Sequence, residues 1–212
     1  MTITSIGYER AISYAELGVL LAHAGTMYSV FQQDAFAVAA GAGTREVTVQ
    51  PGRAYGWGVL DDSDTVETLT GAAVDAGSRW DLVVLRRTWT GETPGSSLVL
   101  IQGGPTAVIP SRSTDPGDED DQPLALVRFA AGQTAVQEFI DLRCWGGDGA
   151  GFVARHKLAL DYLTRIGSRV RIQGVTWVLA YDTATPAWVP ESPYVGSTQP
   201  PYADNLVWVK VP

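Results

Sequence analysis

Glycine and proline interrupt this chain so often that little room remains for long regular helices. The sequence has 23 glycines and 12 prolines, scattered between short apolar runs along 212 residues. Both residue types disfavour a helix interior, whereas they suit the turns that join short strands. Seven tryptophans and eight tyrosines lie in or near such runs and are typical of strands. The pattern predicts a mainly β protein.

The composition indicates a folded chain with a charge-poor surface. Hydrophobic residues make up 45% of the sequence, which is enough for a packed core, and charged residues only 18%. The formal net charge of −8 argues against nucleic-acid binding, which requires a basic face. It also argues against attachment to an anionic membrane. No apolar run reaches the roughly 20 residues of a membrane-spanning helix, so we expect no membrane insertion.

One segment near the N-terminus has the pattern of a short helix. Ser13 and Glu16 match a capping box, and leucines follow at helical spacing. We therefore predict a helix over about residues 14–24. Little apolar sequence lies nearby to cover one side of this helix, so we expect that side to contact another subunit or a neighbouring protein. The leucines concerned are Leu17, Leu20 and Leu21.

Strand signals dominate from residue 45 onward. Val47 and Val49 alternate with polar residues, which predicts that they share one face of a strand. Residues 80–87 form the strongest β segment, with residues 98–103 as the expected neighbouring strand. The dipeptide Gln173-Gly174 separates two short apolar runs and predicts a tight hairpin.

Two acidic segments are predicted to be solvent-exposed turns or loops. One is residues 61–64, after a glycine-interrupted stretch over residues 53–60 that predicts one continuous strand. The other is the acidic run over residues 115–121. Oxygen-rich loops suit hard cations, but neither segment has spaced ligands with a closing glutamate. We therefore expect no metal site, and no motif indicates a cofactor of any other kind.

A second glycine-rich stretch, within residues 144–151, suggests a flexible connector. The predicted organisation has an N-terminal helical attachment segment over residues 1–46 and a central β domain over residues 47–143. The connector follows, and residues 152–212 form a small C-terminal β domain. We expect the central domain to be a β-sandwich or barrel-like.

No catalytic motif is recognisable, so the sequence predicts that the protein is not an enzyme. His23 and His156 have no serine, cysteine or aspartate at a triad-like spacing. Acids and tryptophans are numerous enough for a glycosidase, but they form no motif. The single cysteine, Cys144, has no partner thiol and no ligand set nearby. We expect its side chain to be a small buried apolar group.

Two groups of residues are candidates for structural or binding roles. Arg79 lies two residues before Asp81, and Asp141 two residues before Arg143, which suggests that the aspartates hold strand ends by ion pairs or by backbone hydrogen bonds. Near the proline-rich residues 185–190, three aromatic residues are expected to be exposed. They either contact a glycan or a partner protein, or fix loops onto the C-terminal β unit. They are Trp188, Tyr194 and Tyr202.

Five short motifs occur in order within residues 47–143. A valine-containing strand leads into Pro51-Gly52 and an aromatic, glycine-rich continuation. An arginine-x-aspartate before an apolar strand comes next, followed by glycines and prolines that are typical of turns. A leucine-alanine strand and a closing aspartate-x-arginine complete the series. The motifs span residues 47–58, 78–86, 101–110, 123–129 and 139–143.

In this order the motifs resemble those of a domain in tail-tip and baseplate proteins of long-tailed bacteriophages. The resemblance implies a structural protein of the virion, made in the host cytoplasm, that joins tail components and can present host-recognition parts. It also implies self-association, commonly as a homotrimer, and contacts with other tail or baseplate proteins. The alternative is a carbohydrate-binding protein of the phage tail that recognises a host cell-surface glycan through its exposed aromatic residues.

Overall fold

The chain folds mainly as β-sheet, as predicted, with one short α-helix near the N-terminus. The computed structural model describes residues 12–24, 27–147, 151–181, 185–191, 193–199 and 207–211. These residues form helix α1 (Tyr14–Ala24) and a 3-10 helix (Lys157–Asp161). They also form eighteen strands: β1 (Tyr28–Val30), β2 (Val38–Ala40), β3 (Glu46–Val49), β4 (Gly52–Gly56), β5 (Val59–Ser63), β6 (Glu67–Thr70), β7 (Ser78–Thr88), β8 (Gly95–Ile101), β9 (Thr114–Asp115), β10 (Glu119–Ala130), β11 (Glu138–Asp141), β12 (Cys144–Gly147), β13 (Gly151–Ala154), β14 (Arg169–Ile172), β15 (Val175–Ala180), β16 (Ala187–Pro190), β17 (Tyr194–Gly196) and β18 (Trp208–Lys210).

Helix α1 begins at the predicted capping box. The Glu16 N–H donates to Ser13 Oγ at 3.2 Å, and the Ser13 N–H donates to Glu16 Oε2 at 3.0 Å. The helix packs on the rest of the chain through Gly18, where a Cβ would lie 2.9 Å from the Trp57 carbonyl oxygen. Its three leucines are 38–43% exposed, so the helix presents an apolar surface: Leu17, Leu20 and Leu21.

The strands of the described residues form four sheets. The largest has eight strands in the order β16-β15-β14-β13-β12-β1-β4-β5, and a central sheet has the order β11-β10-β7-β8 with β9 beside β10. A three-stranded sheet (β2-β3-β6) and a two-stranded sheet (β17-β18) complete the set. None of these sheets closes into a barrel within the described part of the chain.

The central sheet is buried on both faces. Leu82 and Val84 of β7 lie in one hydrophobic core, while Val83 and Leu85 lie in a second. Both strands that pair along the middle of this sheet, β7 and β10, are therefore nearly continuous runs of buried residues. A strand that is covered on both faces needs such a run, which explains why residues 80–87 carry the strongest β signal in the sequence.

The first core and the eight-stranded sheet cross the predicted boundaries between segments. That core contains Tyr28 from the predicted N-terminal segment, Leu82 from the central domain and Trp177 from the C-terminal domain. The predicted connector forms β12 and the start of β13, which pair antiparallel. Buried Cys144 and Ala154 flank its glycines and place this hairpin in the sheet. The boundaries therefore mark no break in the sheet or in the core.

Two tight hairpin turns have positive φ angles at both central residues, as in type I′ turns. Gln173 (49°) and Gly174 (86°) join β14 to β15, which confirms the predicted hairpin. Trp57 (49°) and Gly58 (79°) join β4 to β5. The continuous strand predicted over residues 53–60 is therefore wrong. The pattern misled because a bulky side chain is rare at a left-handed position.

The two arginine–aspartate motifs form two-point ion pairs. Arg79 Nε and Nη2 donate to Asp81 Oδ1 and Oδ2 at 2.6 and 2.8 Å. Arg143 Nε and Nη2 donate to Asp141 Oδ1 and Oδ2 at 2.9 and 2.8 Å. Arg143 Nη1 also donates to the Ala35 carbonyl oxygen at 2.7 Å. The Arg143–Ala35 contact fixes the end of β11 to a neighbouring loop, while the Arg79–Asp81 pair lies within the start of β7.

Cys144 is buried in the first core, as expected, and is 1% exposed. Its Sγ lies 2.9 Å from Tyr162 Oη. Burial raises the pKa of the Cys144 thiol to about 12. The thiol therefore stays protonated at neutral pH, and its role is to fill space in the core.

Candidate functional site

An open cleft of about 620 Å³ lies between edge strands of three sheets. Strand β5 ends the eight-stranded sheet, β6 ends the three-stranded sheet and β8 ends the central sheet. Consecutive residues of each strand line the cleft, namely residues 60–63, 67–69 and 96–98. Successive side chains of a strand point to opposite faces. A strand that lines the cleft with consecutive residues therefore turns its edge, not one of its faces, towards the cleft. We call this site the edge cleft.

The outer edge of β5 presents backbone groups that no other strand engages. Gly56 and Val59 flank the two-residue turn between β4 and β5 and form the first hydrogen-bonded pair. Along an antiparallel pair of strands, hydrogen-bonded and non-hydrogen-bonded pairs alternate. Leu60 and Asp62 belong to non-hydrogen-bonded pairs, so their N–H and C=O groups point away from β4. Among the described strands only β4 pairs with β5. An edge of this kind is a template for a further strand.

The lining of the edge cleft combines apolar and acidic side chains. Its floor consists of buried or half-buried residues: Phe36, Leu69, Leu85 and Leu98. Its rim carries exposed carboxylates: Asp62, Asp64 and Glu67. No lysine, arginine, histidine or cysteine contributes to the lining. Asp62 already pairs with Arg53, so the cleft suits a ligand with apolar groups and a positive charge near Asp64 or Glu67. The lining provides no histidine that could activate its serines.

A buried arginine holds β5 against the central sheet next to the edge cleft. Arg87 of β7 is 1% exposed, and its Nε and Nη2 lie 2.8 and 2.6 Å from Asp61 Oδ2 of β5. Nη2 also donates to Gln122 Oε1 of β10 at 2.7 Å. Gly56 leaves the space that the guanidinium occupies, because a Cβ there would overlap Arg87 Nη1. One side chain thus connects the edge strand of one sheet to two strands of another.

A second buried contact joins β10 to β1. Tyr28 Oη donates to Asp120 Oδ1 at 2.7 Å, and both residues are at most 1% exposed. Arg112 Nη1 lies 3.4 Å from Tyr28 Oη. Burial raises the pKa of Asp120 to about 6 and also raises the pKa of Tyr28. Asp120 therefore takes up its proton near pH 6, which is within the pH range in which most proteins are stable.

Both predictions of wholly solvated acidic segments are wrong. Asp61 lies in β5 and is 8% exposed, while Asp120 and Asp121 lie in β10 and are fully buried. Asp121 forms a two-point ion pair with Arg86, its direct neighbour on β7, at 2.7 and 2.9 Å. Arg86 lies 35 residues before Asp121 in the sequence. No local pattern indicates such a partner.

The aromatic candidates lie away from the edge cleft or outside the described residues. Trp188 is half-buried, packs against the first core and donates from Nε1 to the Leu160 carbonyl oxygen at 2.9 Å. These contacts favour the interpretation that it fixes a loop onto the β unit. Tyr194 begins β17, and Tyr202 lies outside the described residues. Glycan binding by these residues stays a prediction.

The described part of the chain contains no candidate metal site and no candidate membrane-spanning helix, and its His156 has a structural role. No group of three or more histidine, cysteine, aspartate or glutamate side chains is placed to hold a metal ion among these residues. No described helix has the length and apolar content that crossing a bilayer requires. His156 Nδ1 accepts a hydrogen bond from the Leu158 N–H at 3.1 Å and so caps the 3-10 helix.

Comparisons with protein-family models, curated proteins and solved structures find no match to this chain. The edge cleft itself was not predicted from the sequence, because its lining comes from separate stretches between residues 36 and 98. The acids within residues 61–64 were the one visible signal. What the site can do is therefore inferred from its strand edges, its apolar floor and its charge.

Replacing Arg87 should destabilise the fold far more than replacing a matched exposed arginine. We expect Arg87→Met to lower the free energy of unfolding by about 3–5 kcal/mol, because Asp61 is left buried without its partner. The control is Arg53→Met, which removes an ion pair with Asp62, a residue of β5 like Asp61. The side chains of Arg53 and Asp62 are 57% and 55% exposed. This substitution should cost less than about 1 kcal/mol. Urea unfolding followed by tryptophan fluorescence measures both, and equal losses would contradict the role given to Arg87.

Replacing Asp120 should change how stability depends on pH. Its pKa rises from the ordinary 3.8 to about 6 on folding, so the folded chain keeps a proton that the unfolded chain releases. This stabilisation is complete below about pH 4 and is lost as the pH rises through 6. Relative to Asp120→Asn, the unaltered protein should lose about 2–3 kcal/mol of unfolding free energy between pH 4 and pH 8. Parallel profiles for the two proteins in urea titrations would show that Asp120 does not titrate in this way.

Proposed function

We propose that this chain is a structural subunit of a bacteriophage tail tip or baseplate, where it joins tail components and associates with copies of itself. The observation that carries the proposal is the edge cleft, at which three sheets present edges that no other described strand pairs with. Such edges are usually short, covered or paired in proteins that work alone. A surface of this kind suits a subunit whose edges meet another chain on assembly.

The motifs that resemble phage tail proteins have structural roles in this fold. Arg79 with Asp81 and Asp141 with Arg143 form ion pairs at strand ends. Pro51-Gly52 leads into β4, and residues 78–86 and 123–129 lie almost entirely in the two central strands. These roles support a structural protein in which the residues of the motifs hold the fold together.

Helix α1 provides a second surface that suits assembly. Its exposed apolar side chains lie on a helix whose other side already packs through Gly18. Exposed apolar patches of this kind mark contacts with other proteins more often than isolated surface residues do. We propose a homotrimer, since rotational closure about a three-fold axis leaves no contact surface open.

The carbohydrate-binding alternative has less support from the geometry. Sugar rings stack on exposed aromatic faces, and the edge cleft contains only Phe36, which is 3% exposed. Trp188 uses its indole N–H within the chain. A glycan array with the purified chain tests this alternative, for which selective binding would be required.

The α1 surface is best tested by point substitution. Deleting residues 1–30 would remove β1, which lies between β12 and β4 in the eight-stranded sheet, so a truncated chain should not keep its fold. Changing the three leucines of α1 to glutamine should preserve the helix, because glutamine has a similar helix propensity, but should prevent incorporation into tail particles. Val108→Gln, at a 53% exposed valine outside the helix, is the control and should incorporate normally.

Light scattering should give three times the mass of one chain for the unaltered protein. Circular dichroism checks that the variants are folded, and reconstruction of the particle locates the chain. Normal incorporation of the leucine variant, or two-fold or six-fold packing of this chain in the particle, would contradict the proposal.

A further inference from the structure

One face of the β13–β14 pair is buried in the first core, whereas the other face is open. The two strands are parallel, with Val153 opposite Arg171. Their neighbours Ala154, Val170 and Ile172 lie in the first core. Val153 and Arg171 project from the other face, where Val153 is 44% exposed and Arg171 is also exposed. Parallel strands normally occur in sheets that are covered on both faces, so this open face indicates a covering partner.

The open face combines aromatic, apolar and basic side chains. A row of direct cross-strand neighbours crosses β12, β13, β14 and β15, namely Trp145, Val153, Arg171 and Thr176. The guanidinium of Arg155, at the end of β13, lies 5.6 Å from the centre of the Trp145 ring. Tryptophan and arginine are enriched where proteins contact each other. We call these five residues the arginine face.

The arginine face is positive, although the chain has a net charge of −8. Arg171 forms no ion pair or hydrogen bond with any described residue. Arg155 Nε lies 3.7 Å from Asp141 Oδ2, but both oxygens of Asp141 already accept hydrogen bonds from Arg143. A surface with a charge that its own chain leaves without a partner suits a surface of opposite charge.

The loop between β5 and β6, at the rim of the edge cleft, has the complementary character. Asp64 is exposed and makes no ion pair or hydrogen bond with any residue that the structure describes. Glu67 is exposed and accepts a hydrogen bond from Thr65 Oγ1 at 3.1 Å, which leaves its charge in place. Val66 lies between these acids and is 51% exposed. The loop thus presents an apolar side chain between two carboxylates.

We infer that the arginine face of one copy binds the β5–β6 loop of a second copy, with Arg171 opposite Asp64 and Val153 against Val66. The inference rests on the proposed self-association and names surfaces that mediate it. Each copy has one such face and one such loop, so the contact is head-to-tail. Contacts of this kind form a closed ring when the rotation between copies closes, as in a trimer. Opposite charges fix which surface meets which, because like-charged surfaces repel each other.

Charge reversal tests the inference in the full chain. Arg171→Glu and Asp64→Arg each place like charges at the contact, so each should raise the dissociation constant of the assembly by about ten-fold or more. A chain that carries both substitutions restores opposite charges in every contact. Its dissociation constant should lie within about three-fold of that of the unaltered protein. Light scattering over a series of protein concentrations measures all four proteins.

Two control variants separate the contact from the effect of net charge. Lys210→Glu and Asp75→Arg change the charge by the same amounts, at exposed residues outside the two surfaces. Both should associate like the unaltered protein. Urea unfolding followed by tryptophan fluorescence checks that every variant is folded.

The outcomes separate the inference from the proposed function. Trimers that form equally well with either single reversal would overturn the inference and leave self-association standing. Weak association that the double reversal does not restore would also overturn it, because the two residues would then meet different partners. Normal trimers of Arg171→Glu that fail to enter tail particles would show that the arginine face binds another protein instead. A monomeric unaltered protein would contradict both the inference and the proposed self-association.

Discussion

Arg87 carries a positive charge into the interior between two sheets, and the position of the edge strand β5 depends on it. A buried guanidinium must keep its hydrogen-bond partners, because breaking one such contact costs several kcal/mol. Gln122 of β10, in the same sheet, is one partner, and Asp61 of β5 is the other, so the two sheets cannot slide past each other without breaking the contact with Asp61. The Tyr28–Asp120 contact adds a second link of the same kind between β1 and β10. The position of β5, which forms one side of the edge cleft, is thus fixed by polar contacts within the interior.

Local structure was the part that the sequence predicted well, since its causes are local. The hydrogen bonds of the Ser13–Glu16 capping box act within one turn, and Gln173-Gly174 takes the positive φ angles that a two-residue hairpin needs. The run over residues 80–87 marks a strand because burial on both faces favours apolar side chains, and its charged residues lie at its two ends, where each has a partner of opposite charge.

The buried acids and the edge cleft depend on contacts between distant parts of the chain, which the sequence could not show. Asp61 and Asp121 look like surface residues until β7 brings Arg87 and Arg86 beside them. The Trp57 hairpin was missed because its tryptophan occupies a conformation that usually belongs to glycine. A cleft that forms between three strand edges has no motif, because each edge is an ordinary short strand by itself. Function was correspondingly harder to predict than fold.

The central claim is that the edge of β5 is a surface on which copies of this chain assemble. Amide hydrogen exchange, followed by mass spectrometry at low and high protein concentration, tests it most directly, because an added strand protects the N–H groups that it bonds. The account predicts that peptides covering residues 60–62 exchange rapidly in dilute protein and become protected as the chain assembles. Exchange at residues 60–62 that stays equally fast in the assembled protein would contradict it.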